Sequence, residues 1–197
     1  MNYNEEMKKI ISSFDKKHTL LLHSCCGPCS SSVIERLKDY FDITVLYYNP
    51  NIEPKEEYEL RKSEQLRLLK ELNIKYLDID YLNEEYHEKV IGYENEPENG
   101  KRCKLCYELR MEKTAKLAKE NDFEYFATTL TVSPHKPSII INEIGLSLEK
   151  EYTVKYLVSD FKKEEGYKKS IELAKEYDLY RQNYCGCLFS KNSNIDE

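Results

Sequence analysis

The sequence predicts an α/β domain with a mostly parallel sheet, and three observations predict it. Short apolar runs alternate with longer charged, helix-forming runs, the pattern of strands joined by crossover helices. Turn-forming residues such as Gly27–Pro28, Asn49–Pro50 and the GYENEPENG stretch punctuate the alternation. Polar or reactive segments (CCGPC, NPN, TTLTVSPHK) directly follow apolar runs, which puts them at the carboxyl ends of the strands, where parallel sheets bind ligands.

His18–His23 (HTLLLH) is too short for a helix and reads as a buried strand. A helix capped by Ser30 or Ser31 follows, to about Asp39. Asp42–Tyr48 is the second strand, and Pro54 opens a long charged helix to Leu72. Ile74–Ile79 is the third strand, and Leu82–Ile91 a weaker helix. Lys101–Glu120 is rich in Leu, Ala, Lys and Glu and reads as a helix. Phe123–Thr129 is the fourth strand, Ser138–Leu148 a helix, Lys155–Val158 a fifth strand and Lys163–Tyr177 the last helix. One domain over residues 1–190 is expected, with a disordered tail over 191–197.

The 197 residues are 40% hydrophobic and 34% charged, with a formal net charge of −6. No apolar run approaches the roughly 20 residues of a membrane span. The N-terminal stretch lacks the apolar segment of a secretory signal, so a cytoplasmic location is expected. An acidic balance gives no argument of its own for nucleic acid, although a local basic patch is compatible with it.

Seven cysteines fall in three clusters: Cys25, Cys26 and Cys29; Cys103 and Cys106; Cys185 and Cys187. In a reducing compartment such clustering points to metal or redox chemistry. Cys103 and Cys106 share a face at a helix start, beside Lys101, Arg102 and Lys104, a setting that favours thiolates. By spacing alone, structural zinc fits as well as an iron–sulfur cluster. Zinc would leave three thiols idle, and a Cys-Cys pair is an awkward zinc knuckle. These points favour redox chemistry. A disulfide across Cys185-Gly186-Cys187 would close a strained ring suited to electron relay; two ordinary thiols or an extra metal site are the alternatives.

LLHSCCGPCSS, YYNPNIEPKEEYELR, RCKLCYELRMEKTA, TTLTVSPHK and DLYRQNYCGCLFS, in this order over Leu20–Ser190, together resemble the QueH-type epoxyqueuosine reductases. The resemblance implies a HUP-like (Rossmann-like) domain that reduces epoxyqueuosine to queuosine at the tRNA wobble position. It implies a 4Fe-4S cluster on Cys25, Cys26, Cys103 and Cys106, and a redox-active pair at Cys185 and Cys187. Four cysteines would saturate the cluster, so the epoxide needs another activator. A second, mononuclear metal such as iron, held by Cys29, Cys185 or Cys187 and Asp80, is one candidate. Ferredoxin or flavodoxin are the electron donors considered.

Each remaining candidate has two readings. His23 is a proton donor or a hydrogen-bonded core residue. Ser133, His135 and Lys136 contact substrate phosphate or ribose, or cap a helix. Tyr47, Tyr48, Asn49 and Asn51 meet the modified base. Tyr58 and Arg61 orient the site, or Arg61 merely pairs with Glu57. Tyr180, Arg181 and Gln182 are candidate RNA contacts. The basic segments 61–75 and 162–169 are a tRNA patch or solvated helix faces. Two competing functions are a zinc-binding interaction module and a PP-loop enzyme. The latter would need an S-G-G-x-D-S loop, where this chain has HSCCGPCSS.

Overall fold

The computed structural model describes residues 2–193. Five strands, β1 (His18–His23), β2 (Phe41–Leu46), β3 (Lys75–Leu77), β4 (Tyr125–Thr128) and β5 (Lys155–Tyr156), form one sheet in the order β3-β2-β1-β4-β5. All the pairings are parallel. Among the described residues, eight α-helices connect and flank the strands: α1 (Tyr3–Ser12), α2 (Gly27–Leu37), α3 (Lys55–Glu71), α4 (Asn83–Val90), α5 (Lys101–Glu120), α6 (Ser138–Tyr152), α7 (Gly166–Glu176) and α8 (Leu188–Ser193).

Strand alternation builds the three layers. Leu20 and Leu22 of β1 and Ala127 of β4 face a core with Met7 and Ile11 of α1, Val33 and Leu37 of α2 and Leu69 of α3. Leu21 and Phe126, one residue out of phase, face a second core with Met111 and Ala115 of α5 and Ile141 and Ile144 of α6. The expected α/β class is therefore the observed one. No helix among the described residues is long and apolar enough to cross a membrane.

Register sets the height of the site. His23 pairs with Leu46 of β2 and with Thr128 of β4. Three neighbouring strands thus end level. Between β1 and β4 the strand order also reverses direction, and such a switch point opens a crevice.

Four details differ from the sequence expectation. Residues 3–12 form α1, where no element was read: Asn2 caps it by accepting from the backbone N–H of Glu5, at 3.3 Å, and Met7 and Ile11 bury one face. α2 begins at Gly27, because Pro28 suits a first helical turn. Ser30 and Ser31 instead donate back to the carbonyls of Gly27 and Pro28, at 3.0 and 2.8 Å. β3 and β5 are shorter than expected. α8 runs past Ser190 to Ser193, and the remainder of the expected tail, 194–197, lies outside the described residues.

Gly145 of α6 lies against the buried ring of Tyr156, where an added Cβ would come within 2.2 Å of a ring carbon. Gly145→Ala is expected to destabilise the fold by about 1–3 kcal/mol. A lower denaturant midpoint at unchanged slope checks this.

Candidate active site

β1 ends at His23, whose ring is fully buried. Its Nδ1 lies 2.9 Å from Thr128 Oγ1 and its Nε2 lies 3.0 Å from the carbonyl of Tyr48. Burial, aided by the Arg110 charge, lowers its pKa to about 4. The His23 ring thereby ties the end of β1 to β4 and to the segment that follows β2.

The chain turns at Cys25 and enters α2. Cys26, with extended backbone, is the residue before the helix, and Cys29 follows in its first turn. That half-turn brings the sulfurs of Cys25, Cys26 and Cys29 within 4.8 Å of one another, the only such group of three or more metal-ligand side chains among the described residues. The Cys25 and Cys26 sulfurs are 3.9 Å apart, and Thr129 Oγ1 lies 3.4 Å from Cys25. Hydrogen bonds from Cys26 and Cys29, with the Lys136 charge and Thr129, hold the Cys25 thiol well below its usual range. The Cys26 thiol, bonded to Cys25 and buried, is pushed up to about 12, and Cys29 is raised too.

α5 carries the second group. The backbone N–H of Asn99 donates to Cys103 Sγ at 3.3 Å. Cys106 is buried and packs with Cys187, Tyr86 and Val90. The structure therefore brings the C-x-x-C motif to the C-G-C motif, while Cys29 joins Cys25 and Cys26. Cys25 and Cys103 both border the core beneath α5. All seven thiols are free. The expected Cys185–Cys187 disulfide is not formed.

The C-G-C loop is held by α3. Arg61, 2% exposed, donates from Nε to Glu57 at 2.7 Å and from its two Nη atoms to the carbonyls of Cys185 and Tyr184, at 3.2 and 3.3 Å. Arg61 thus pairs with Glu57 and at the same time holds the backbone of the C-G-C loop. Glu64 accepts from the backbone N–H of Tyr180 at 2.9 Å, and Tyr180 donates to Glu57 at 3.1 Å. Gly186 has φ 132°, and a Cβ there would press on Ile52 at 2.8 Å. Only glycine suits that backbone and that space.

These pieces enclose a cavity of about 500 Å³. Its wall includes Cys25, Cys26, Cys29 and Cys185, Asn49 and Asn51 from the end of β2, and Ser133, His135 and Lys136 from beyond β4. Arg181, Gln182 and Tyr184 close it from the C-terminal segment. Asn49 is fixed by donating to the Ser24 carbonyl at 2.8 Å. Several buried polar atoms of wall residues have no protein partner: both amide atoms of Asn51, Oε1 of Gln182 and Nη2 of Arg110. Other candidates lie elsewhere. Tyr48 is buried with its hydroxyl donating to Glu85, so its ring does not line the cavity. Tyr58 is buried against Tyr47 and Tyr81. Asp80 is exposed beyond β3 and is absent from the wall.

Arg110, in the quoted run RCKLCYELR, is the residue that sequence reasoning missed. It is 2% exposed and makes no ion pair with a carboxylate among the described residues. Nε donates to the Cys106 carbonyl at 3.2 Å and Nη1 to Asn49 Oδ1 at 3.4 Å. Burial pushes the Cys106 thiol itself up to about 12. Burial also works against the Arg110 charge, but the neighbouring sulfurs, Cys106 foremost, outweigh burial and raise the arginine's pKa. Cys185 and Cys25 do the same for Lys136. Buried cations need counter-charge, and here thiols provide it. Soft thiolate donors facing two cations fit a thiolate-ligated iron–sulfur centre.

The family model for epoxyqueuosine reductase QueH matches residues 20–193. The chain belongs to the epoxyqueuosine reductase QueH family. It is 44% identical over 206 residues to an epoxyqueuosine reductase QueH from Streptococcus pyogenes serotype M1, with 100% of this chain and 81% of the relative covered. It is 41% identical to the protein of that name from Staphylococcus epidermidis, with 96% and 84% covered. Members of the QueH family are named as reductases, and this chain is accordingly an oxidoreductase. The fold is similar to that of the U34-tRNA thiolase NcsA from Methanococcus maripaludis, solved with its [4Fe-4S] cluster, at a TM-score of 0.60, 14% identity and 98% and 70% coverage.

Arg61→Met keeps bulk but strands Glu57 and frees the C-G-C loop. It is expected to destabilise the fold by about 3–5 kcal/mol and to speed alkylation of Cys185 relative to Cys25, read by peptide mass spectrometry.

Proposed function

We propose that this chain reduces epoxyqueuosine to queuosine at the wobble position of tRNA. The observation that carries this reading is the cavity itself, where three level strand ends and the C-terminal segment present thiols, cations and unpartnered amides together. The reaction breaks both C–O bonds of the epoxide and forms a C=C bond. Two electrons and two protons enter, and the oxygen leaves as water. No ordinary side chain supplies those electrons.

A 4Fe-4S cluster, when bound, supplies low-potential electrons singly. Cys25 and Cys26 on one side and Cys103 and Cys106 on the other are its ligands in this reading. The four thiolates of a cluster bind different irons, so these pairs need not share the tight group that Cys25, Cys26 and Cys29 form. Cys29 and Cys185, also on the wall, are left for a second centre, a mononuclear iron or a redox-active relay with Cys187. Asp80, exposed and off the wall, has no observation favouring it there.

The other wall residues bind and orient. Asn49 and Asn51 meet the modified base, with Asn51 free to donate and accept. Ser133, His135 and Lys136 follow β4 and take the phosphate or ribose side. Arg181, exposed at the rim, contacts RNA beyond the modified nucleoside. The reductant is an external carrier of the ferredoxin or flavodoxin class, and the reaction takes place in the cytoplasm, with tRNA.

Anaerobically purified protein is expected to be brown and to convert epoxyqueuosine in tRNA to queuosine with a chemical reductant, read by nucleoside mass spectrometry. Colourless, zinc-loaded protein with the same activity would overturn the reading. Cys103→Ser is expected to lose most of the iron and its visible absorption. Cys29→Ser is expected to keep that absorption and lose turnover; undiminished turnover would remove Cys29 from the chemistry.

A further inference from the structure

We propose that Arg110 is a catalytic residue whose Nη2 donates a hydrogen bond to the epoxide oxygen as it leaves. This assignment rests on the functional reading above and supplies the oxygen-stabilising group that reading lacks.

The guanidinium is almost fully buried, yet it is not there to complete an ion pair. Two of its three nitrogens are committed within the protein: Nε to the Cys106 carbonyl and Nη1 to Asn49 Oδ1. The ring of Tyr107 lies 5.7 Å from the guanidinium carbon. These contacts fix its plane. Nη2 is left without a partner, and Arg110 forms part of the cavity wall beside Cys25, Cys29 and Cys185. A buried donor left unsatisfied costs about 1–3 kcal/mol, and more for a charged group. Such a cost persists where a ligand supplies the acceptor. A purely structural arginine would turn its last nitrogen toward a carbonyl.

The chemistry of the missing acceptor follows from that of the donor. Arginine stays protonated under all ordinary conditions, so it does not pass a proton on. It holds negative charge. An epoxide oxygen is a modest acceptor in the ground state. When electrons enter and the C–O bonds break, the oxygen becomes anionic before it leaves as water. A fixed cationic donor held in place before the reaction stabilises that developing charge far more than the starting ring. The two electrons come from the external low-potential carrier, and the two protons come from solvent or a neighbouring acid. Arg110 supplies neither, and its contribution is electrostatic. The expected signature is a loss in kcat with little change in KM.

The experiment compares wild type with Arg110→Lys, which keeps the charge and moves the donor, and Arg110→Ala, which opens a space for free guanidinium. All are assayed anaerobically on epoxyqueuosine-containing tRNA, with iron content, visible spectrum and midpoint potential measured on the same samples. Arg110→Lys is expected to lose about 10²–10³-fold in kcat, with KM, iron content and potential close to wild type. Millimolar guanidinium is expected to restore part of the turnover of Arg110→Ala, and methylammonium is not. If Arg110→Ala does not fold, Arg110→Lys decides. A kcat for Arg110→Lys within threefold of wild type overturns the assignment. So does a shift in potential that accounts for the lost rate, because the guanidinium would then serve the sulfur centre rather than the substrate. Wild type that leaves epoxyqueuosine unreduced in this assay refutes the functional reading itself.

Discussion

A buried guanidinium, Arg110, with no carboxylate partner among the described residues is the constraint around which this site is built. Charge inside a protein has to be answered nearby, and the groups that answer Arg110 are sulfurs. Lys136, brought in from beyond β4, faces the same thiols. Two cations share one wall with these sulfurs, and the Lys136 charge helps hold the Cys25 thiol low. Removing either side leaves the other unmatched, which is why cysteines far apart in the chain and cations from two different elements form one unit. Within that unit the Cys25 thiol is held low, while burial pushes the Cys103, Cys106 and Cys187 thiols up.

Delivery of these groups depends on two mechanical features. One is the level ending of β1, β2 and β4, locked by the neutral His23 ring bridging Thr128 and the Tyr48 carbonyl. The other is the C-terminal segment, which has no strand of its own and is carried by α3. Glu57, Arg61, Glu64 and Arg67 offer a row of side chains along that helix. Arg67 donates to the carbonyls of Tyr177 and Asp178, at 3.0 and 2.8 Å, so the row holds the segment from residue 177 to the C-G-C loop. A helix whose sequence looks like a solvated charge run is thereby a clamp. Within the segment 61–75, read either as a nucleic-acid patch or as a solvated face, Arg61, Glu64 and Arg67 hold the C-terminal segment.

Much of this was legible beforehand, and the failures have specific causes. Strand order along the chain and the helices between were read from local periodicity, which is a property of neighbouring residues. The convergence of CCGPC, NPN and SPHK was read correctly because parallel topology sends every strand end to one edge. The N-terminal helix was missed because its amphipathic face has meaning only against the sheet. Tyr48 was read as a base contact from its place after β2, but strand alternation turns its ring into the α5 core. Asp80 lies three residues beyond the short edge strand β3 and stays in solvent. Arg110 was overlooked because an arginine in a charged helix carries no local mark of being buried.

The sequence by itself determined the class of fold, the inventory of seven thiols and the edge of the sheet at which chemistry would occur, since each follows from local pattern and from the handedness rules of parallel sheets. Tertiary structure alone decided which thiols meet: Cys29 with Cys25 and Cys26 through the early start of α2, and Cys106 with Cys187 through the clamp on α3. It also decided that an arginine from α5 lines the cavity while an aspartate from beyond β3 does not. The physical reason is that contacts between distant segments are set by sheet register and helix packing, which no window of neighbouring residues contains.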